Sequence, residues 1–96
     1  MLMWKVLIEN NALKFLESLD KKRSENIKEE LRLLKESPFP DIHGNKKEIK
    51  GTSKSAFRLR IGDYRAFYTI EAEDKTVKVT EIITAEAAHK KYGRMD

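Results

Sequence analysis

The sequence predicts an α+β domain: an N-terminal strand, a helical hairpin, an antiparallel β-meander and a short C-terminal helix. The helices are expected on one face of the sheet. Three observations predict this. "MWKVLIE" and three runs after residue 55 show strand composition with period-two patterning. Between them, apolar residues recur at helical spacing. The order is segregated, with helices grouped ahead of a run of strands, which argues against alternating βαβ units. The 96 residues fit one domain, residues 1–96, with a single modest core.

In the first strand, Trp4, Val6 and Ile8 alternate with Met3, Lys5 and Leu7. Asn10 and Asn11 supply a turn and a helix cap. "ALKFLESL" (12–19) then sets Leu13 and Leu16, with Phe15 and Leu19, toward one side. Asp20 can cap a second helix, in which Ile27, Leu31 and Leu34 form a narrow apolar stripe. Pro38 and Pro40 end it. Residues 41–55 read as a loop with Ile49 as its apolar anchor, and His43 as an exposed bystander. Strands follow at about 56–61, 64–71 and 76–83. "TAEAAHKKY" (84–92) is a helix that Thr84 can cap and Gly93 can close.

Composition narrows the function classes. There is no cysteine, so disulfides and thiolate metal sites are excluded. His43 and His89 cannot build a metal site alone. No apolar run approaches a membrane span, and "MLMWKVLIENN" lacks signal-peptide features, so a cytoplasmic protein is expected. The net charge of +4 is concentrated. Residues 46–65 hold seven basic and two acidic residues, +5, against 13 and 14 elsewhere, −1. Such a window is either a solvated surface or a patch for a polyanion.

"FRLRIGDYRAFYTI" (57–70) sharpens the choice. A two-residue turn at Gly62-Asp63 sets Arg60 opposite Arg65 and Arg58 opposite Phe67. Alternation then gives a core face of Phe57, Leu59, Ile61, Tyr64, Ala66, Tyr68 and Ile70. The other face carries Arg58, Arg60, Arg65 and Phe67. Like charges directly opposite cost stability. Either the arginines bind an anion, with Phe67 as a stacking ring for a base, or Glu48, Glu71 and Glu81 neutralise them in a surface network.

At this point the residues resemble a family. "IKGTSKSAFRLRIGDYRAFYTI" (49–70) is similar to the signature of the RelE/ParE toxin superfamily. The resemblance runs along nearly the whole chain. It implies a toxin of a toxin–antitoxin pair that cleaves messenger RNA on the ribosome without metal or cofactor. The ribose 2′-hydroxyl would attack the adjacent phosphate, leaving a cyclic phosphate and a free 5′-hydroxyl. By the same resemblance Arg58 and Arg60 occupy the positions of the family's basic pair. Arg65 matches the arginine that holds the scissile phosphate, and Tyr92 the C-terminal tyrosine that stacks on a base. Lys46, Lys47, Lys50 and Lys54 would contact the RNA backbone. The implied partners are the message on the ribosome and a small antitoxin that wraps the toxin and covers the basic patch.

Two departures from the family pattern stand out. Its most active members carry lysines where this chain has Arg58 and Arg60, and arginine is a poor general base. An arginine also usually precedes the C-terminal tyrosine, where this chain has Glu86, Ala87 and Ala88. His89, Lys90 and Lys91 are the nearest substitutes. His89 is attractive as a group that can pass a proton, although positive charge near a helix C-terminus is favoured anyway. Tyr92 either meets a base or packs on the sheet. Two other readings stay open: a ParE-like toxin that inhibits DNA gyrase by binding, and a degenerate member that binds only RNA or antitoxin.

Overall fold

A computed structural model describes residues 3–49 and 56–93. Its elements are β1 (Lys5–Ile8), α1 (Asn10–Glu17), α2 (Lys21–Arg32), β2 (Lys46–Ile49), β3 (Ala56–Ile61), β4 (Tyr64–Glu71), β5 (Thr76–Thr84) and α3 (Ala85–Tyr92). A 3₁₀ turn, Leu33–Lys35, follows α2. The α+β class holds.

The sheet differs from the expected antiparallel meander in two respects. It has five strands, in the order β1-β5-β4-β3-β2, and β1 runs parallel to β5. The extra strand, β2, lies in the segment read as loop. Its Lys-Lys-Glu-Ile composition carries little apolar signal, and it becomes a strand by pairing with the edge of β3.

The β3–β4 hairpin has the register that alternation requires. Ile61 faces Tyr64, Arg60 faces Arg65, Leu59 faces Ala66, Arg58 faces Phe67 and Phe57 faces Tyr68. Gly62 adopts φ 54°, a conformation that a tight hairpin turn needs and L side chains resist. On the β5 side the register slips between Phe67 and Tyr68, where Phe67 pairs with Glu81 and Tyr68 with Val79. Thr80 is the extra residue. Plain alternation from Val77 and Val79 would send Glu81 toward the helices. The bulge instead keeps Ile82 in the core and turns Glu81 to the arginine face.

The core lies between the sheet and the pair α1 and α2. Ala12, Leu16, Ile27, Leu31 and Leu34 meet Phe57, Leu59, Ala66, Tyr68, Val77, Val79 and Ile82. Full burial of an aliphatic side chain such as Ile27 or Leu31 stabilises by about 1.5–3 kcal/mol. In α1 the buried positions are Ala12 and Leu16, while Leu13 is exposed. The small Ala12 lets the helix approach the sheet. Asn10 opens α1 as a helical residue instead of capping it, and the cap position falls to Glu9. Asp20 takes the N-cap backbone position of α2 without a side-chain capping bond. Tyr68 is fully buried, and its hydroxyl donates to the Pro38 carbonyl at 2.7 Å. Trp4 packs at the core margin, edge-on to Phe39.

Helix α3 covers the opposite side of the sheet. Thr84 caps it by accepting from the Ala87 N–H at 3.1 Å, and Gly93 closes it at φ 77°. Ala88 is its buried residue. Among the described residues no helix is long and apolar enough to cross a membrane.

Candidate RNA interface

Backbone pairing sorts the basic residues before any side chain is considered. Lys47 pairs with Arg58, Arg58 with Phe67, and Phe67 with Glu81. Paired residues share a face, so these four form one row across β2, β3, β4 and β5. The next row holds Arg60 and Arg65, followed by Ile83. Adjacent strands lie about 4.8 Å apart, so the three arginines start from neighbouring backbone positions.

A turn before β2 holds two of them. The Asp41 carboxylate accepts from the Asn45 N–H at 3.0 Å. Partial desolvation pushes that carboxyl up, but hydrogen bonds from Asn45, Lys46 and Gly44 backbone groups, with the Lys46 charge, leave it below its ordinary range. Gly44 sits at φ +76°, and a Cβ there would meet Lys47 Cε at 3.1 Å. The Gly44 carbonyl accepts from Arg58 Nη2 at 3.3 Å. The Asn45 side-chain oxygen accepts from Arg60 Nη2 at 3.1 Å.

The three arginines differ in access. Arg58 is buried, with 1% of its surface exposed. It is a fixed charge behind the face, not a mobile fork upon it. Arg60 is exposed and Arg65 half-buried. Arg65 Nη1 donates to the carbonyls of Gly62 and Tyr64, each at 2.8 Å, which folds the side chain over its own hairpin turn.

The other expected site residues are placed as follows. Lys47 joins the arginine row. Lys46 does not: it pairs with Leu59 on the helix side, and its Nζ donates to the Ser37 carbonyl at 2.8 Å. One-residue alternation along β2 separates the two lysines, so Lys46 leaves the interface. Lys50 and Lys54 lie outside the described residues. Phe67 shares the arginine face as expected, but its ring is not an open platform. It is buried beneath Tyr92, with ring centroids 4.8 Å apart. His89 is exposed on α3, and Lys90 pairs with Glu86 on the same helix. Tyr92 keeps 42% of its surface exposed.

Glu81 is the residue that sequence reasoning valued too little, weighing it only as a partner for the arginines. Its Oε1 accepts from the Tyr92 hydroxyl at 2.6 Å, and its Oε2 pairs with Lys91 Nζ at 2.7 Å. Burial alone would raise this carboxyl; the hydrogen bonds from Lys91 and Tyr92 outweigh it and hold Glu81 below its ordinary value. Burial and the Glu81 hydrogen bond push the Tyr92 phenol up, so it stays protonated. The Glu81 hydrogen bond, joined by that of Tyr92, raises Lys91. The signal available in the sequence was an acidic residue within the β-branched run "VTEIIT".

A family model for the ParE toxin of type II toxin–antitoxin systems, parDE, matches residues 6–88. The chain belongs to the RelE/ParE toxin superfamily. Within it, the chain is 32% identical over 85 residues to a toxin candidate named RelE1 from Methanocaldococcus jannaschii, covering 88% of this chain and 93% of the relative. The archaeal RelE–RelB complex from Pyrococcus horikoshii OT3 contains a chain with 28% identity and a TM-score of 0.72, covering 88% of this chain and 96% of that one. The intact E. coli RelBE toxin–antitoxin complex gives 26% identity and a TM-score of 0.67, covering 85% and 96%. The chain is thus a toxin of the RelE/ParE class, and its arginine cluster lies on a RelE-like sheet.

Proposed function

We propose that this toxin is a metal-independent endoribonuclease that cleaves messenger RNA on the ribosome. The observation that carries the reading is the cross-strand pair of Arg60 and Arg65 on the face that also presents the Tyr92 ring. Two guanidinium groups there suit phosphate oxygens, and a partly exposed ring beside them suits a nucleobase.

In this reading Arg65 holds the scissile phosphate and Arg60 joins it as negative charge builds on the phosphorane. The buried Arg58 supplies positive potential from behind. A bond forms between the 2′-oxygen and phosphorus while the bond to the 5′-oxygen breaks. The 2′ proton passes to a base, and the departing oxygen takes up a proton. His89 is the residue proposed to move a proton, since a neutral imidazole carries one donor and one acceptor nitrogen. Tyr92 stacks on a base. Lys47, Lys90 and Lys91, with Lys50 and Lys54, add backbone affinity without sequence choice.

A cognate antitoxin is the proposed second partner, supported by the RelE–RelB and RelBE complexes among the similar structures. A ribosomal target places the protein in the cytoplasm. One observation favours a second reading, a toxin that inhibits gyrase by binding: the matching family model is that of the ParE toxin. Induced expression followed by mapping of message 5′ ends separates the two. New ends within coding regions, lost with Arg65→Ala, support the ribonuclease. Intact messages with gyrase-dependent DNA breaks support the second reading.

A further inference from the structure

Tyr92 occupies a place that helix geometry alone does not secure. It is the last residue of an eight-residue helix, at the end where helices fray. Yet its ring lies 4.8 Å from that of Phe67, tilted by 45°. Two bonds fasten it there, and both end on one side chain. Glu81 receives the Tyr92 hydroxyl on one oxygen and the Lys91 ammonium on the other. Glu81 is itself fixed, since it lies in β5 directly opposite Phe67. Its side chain retains only 15% exposure. The same strand residue therefore stands beside the lower ring and grips the upper one.

We infer that Glu81 is the positioning residue of the base-binding platform, clamping the end of α3 so that the partly exposed Tyr92 ring is held against Phe67, with the Lys91 ammonium 5.2 Å from its centroid. The inference rests on the ribonuclease reading for what the platform binds. The arrangement explains why Phe67 is aromatic although it is covered: it is the support on which the exposed ring lies. It also gives a role to the carboxylate on the face that carries the arginines. Glu81 bonds to Tyr92 and Lys91, while Arg60 and Arg65 bond to neutral oxygens and keep their charge for a phosphate. The bulge at Thr80 is what brings Glu81 to this face.

The test uses the 96-residue chain with Glu81→Ala, Glu81→Gln and Tyr92→Phe. Glutamine still accepts from the phenol and fills the same space. By NMR, proton contacts between the Phe67 and Tyr92 rings should be present in the unsubstituted protein and in Glu81→Gln, and lost in Glu81→Ala. Rings that stay in contact in Glu81→Ala overturn the inference. This arm needs no ribonuclease activity, so it is decided separately from the proposed reaction. On ribosome-bound message, Glu81→Ala and Tyr92→Phe should each raise KM by about fivefold or more, the low end of a lost base–aromatic stack. Their kcat should stay within about twofold, the pattern of lost binding without lost chemistry. Glu81→Gln should restore most of the KM, and the double variant Glu81→Ala/Tyr92→Phe should be no worse than either single one. A fall in kcat at unchanged KM, or effects that multiply, contradict a shared clamp. If the unsubstituted protein cleaves no message, the ribonuclease reading fails and the ring contacts alone decide the clamp.

Discussion

Arg60 stands directly opposite Arg65 across the β3–β4 hairpin, and each guanidinium is held by neutral oxygens: the Asn45 side chain for one, the Gly62 and Tyr64 carbonyls for the other. Like charges so placed oppose folding. Arg60→Thr should therefore raise the unfolding free energy by a few tenths to ~1 kcal/mol, while weakening cleavage. Urea denaturation and a cleavage assay on the same preparation check the opposed signs.

Arg58 belongs to the structure as much as to the site. Removing a buried side chain of this size leaves a cavity and deprives the Gly44 carbonyl of its donor. Arg58→Ala should cost ~2–4 kcal/mol. Arg60→Ala, on the exposed surface, should not destabilise by more than ~0.5 kcal/mol. Loss of toxicity in the first variant should track loss of folded protein in denaturation curves; in the second it should not.

The separation of Lys46 from Lys47 by the β2 pleat has a salt signature. Single-strand binding releases about 0.7 counterion per phosphate neutralised. Lys47→Ala should flatten the slope of log affinity against log salt by about that amount. Lys46→Ala should leave the slope unchanged, since its ammonium is bonded to Ser37 on the other side.

Tyr68 predicts an alkaline limit. Burial, with the Asp41 charge, raises its phenol far above the ordinary 10.0, against a smaller opposing effect of Arg58. A folded-state value above the unfolded one gives stability that is complete below pH 10.0 and lost as pH climbs beyond it. Stability measured against pH should fall there, and Tyr68→Phe should remove part of the slope. The same variant should cost ~1–3 kcal/mol at neutral pH, because the Pro38 carbonyl loses its buried donor.

Glu81 predicts an acid limit for α3. Its folded-state value lies below the ordinary 4.5, so its contribution is present above pH 4.5 and lost as pH falls through the lower folded value. Amide exchange in α3 should quicken below that pH before exchange in β3 and β4 does. Simultaneous acceleration throughout would show that the clamp is not separately labile.

The hairpin register was legible because Gly62-Asp63 fixes the turn, and a one-residue slip would bury every arginine on the helix side. The stripe of Ile27, Leu31 and Leu34 was legible for the same reason: a periodic pattern with one buried solution. What stayed hidden was set by partners remote in sequence. Nothing in "MWKVLIE" states that its neighbour will be β5 or that the pairing will be parallel. The β2 strand has an almost wholly charged sequence and owes its form to β3. The bulge that turns Glu81 around leaves only one trace, the shift of apolar phase from Val77 and Val79 to Ile82, which plain alternation does not read. The covering of Phe67 had only an oblique sign. "EAAH" lacks the family's arginine, and its Ala88 is what allows α3 to lie close against the sheet.

The most direct test of the central claim is cleavage by the purified protein on ribosomes programmed with a defined message, with the chemistry of the new ends identified. The new ends should be 5′-hydroxyl and 2′,3′-cyclic phosphate, reduced about 100-fold or more by Arg65→Ala, as expected when a charge-stabilising donor is removed. Intact message with a fully folded protein would contradict it and move the arginine face to a protein target.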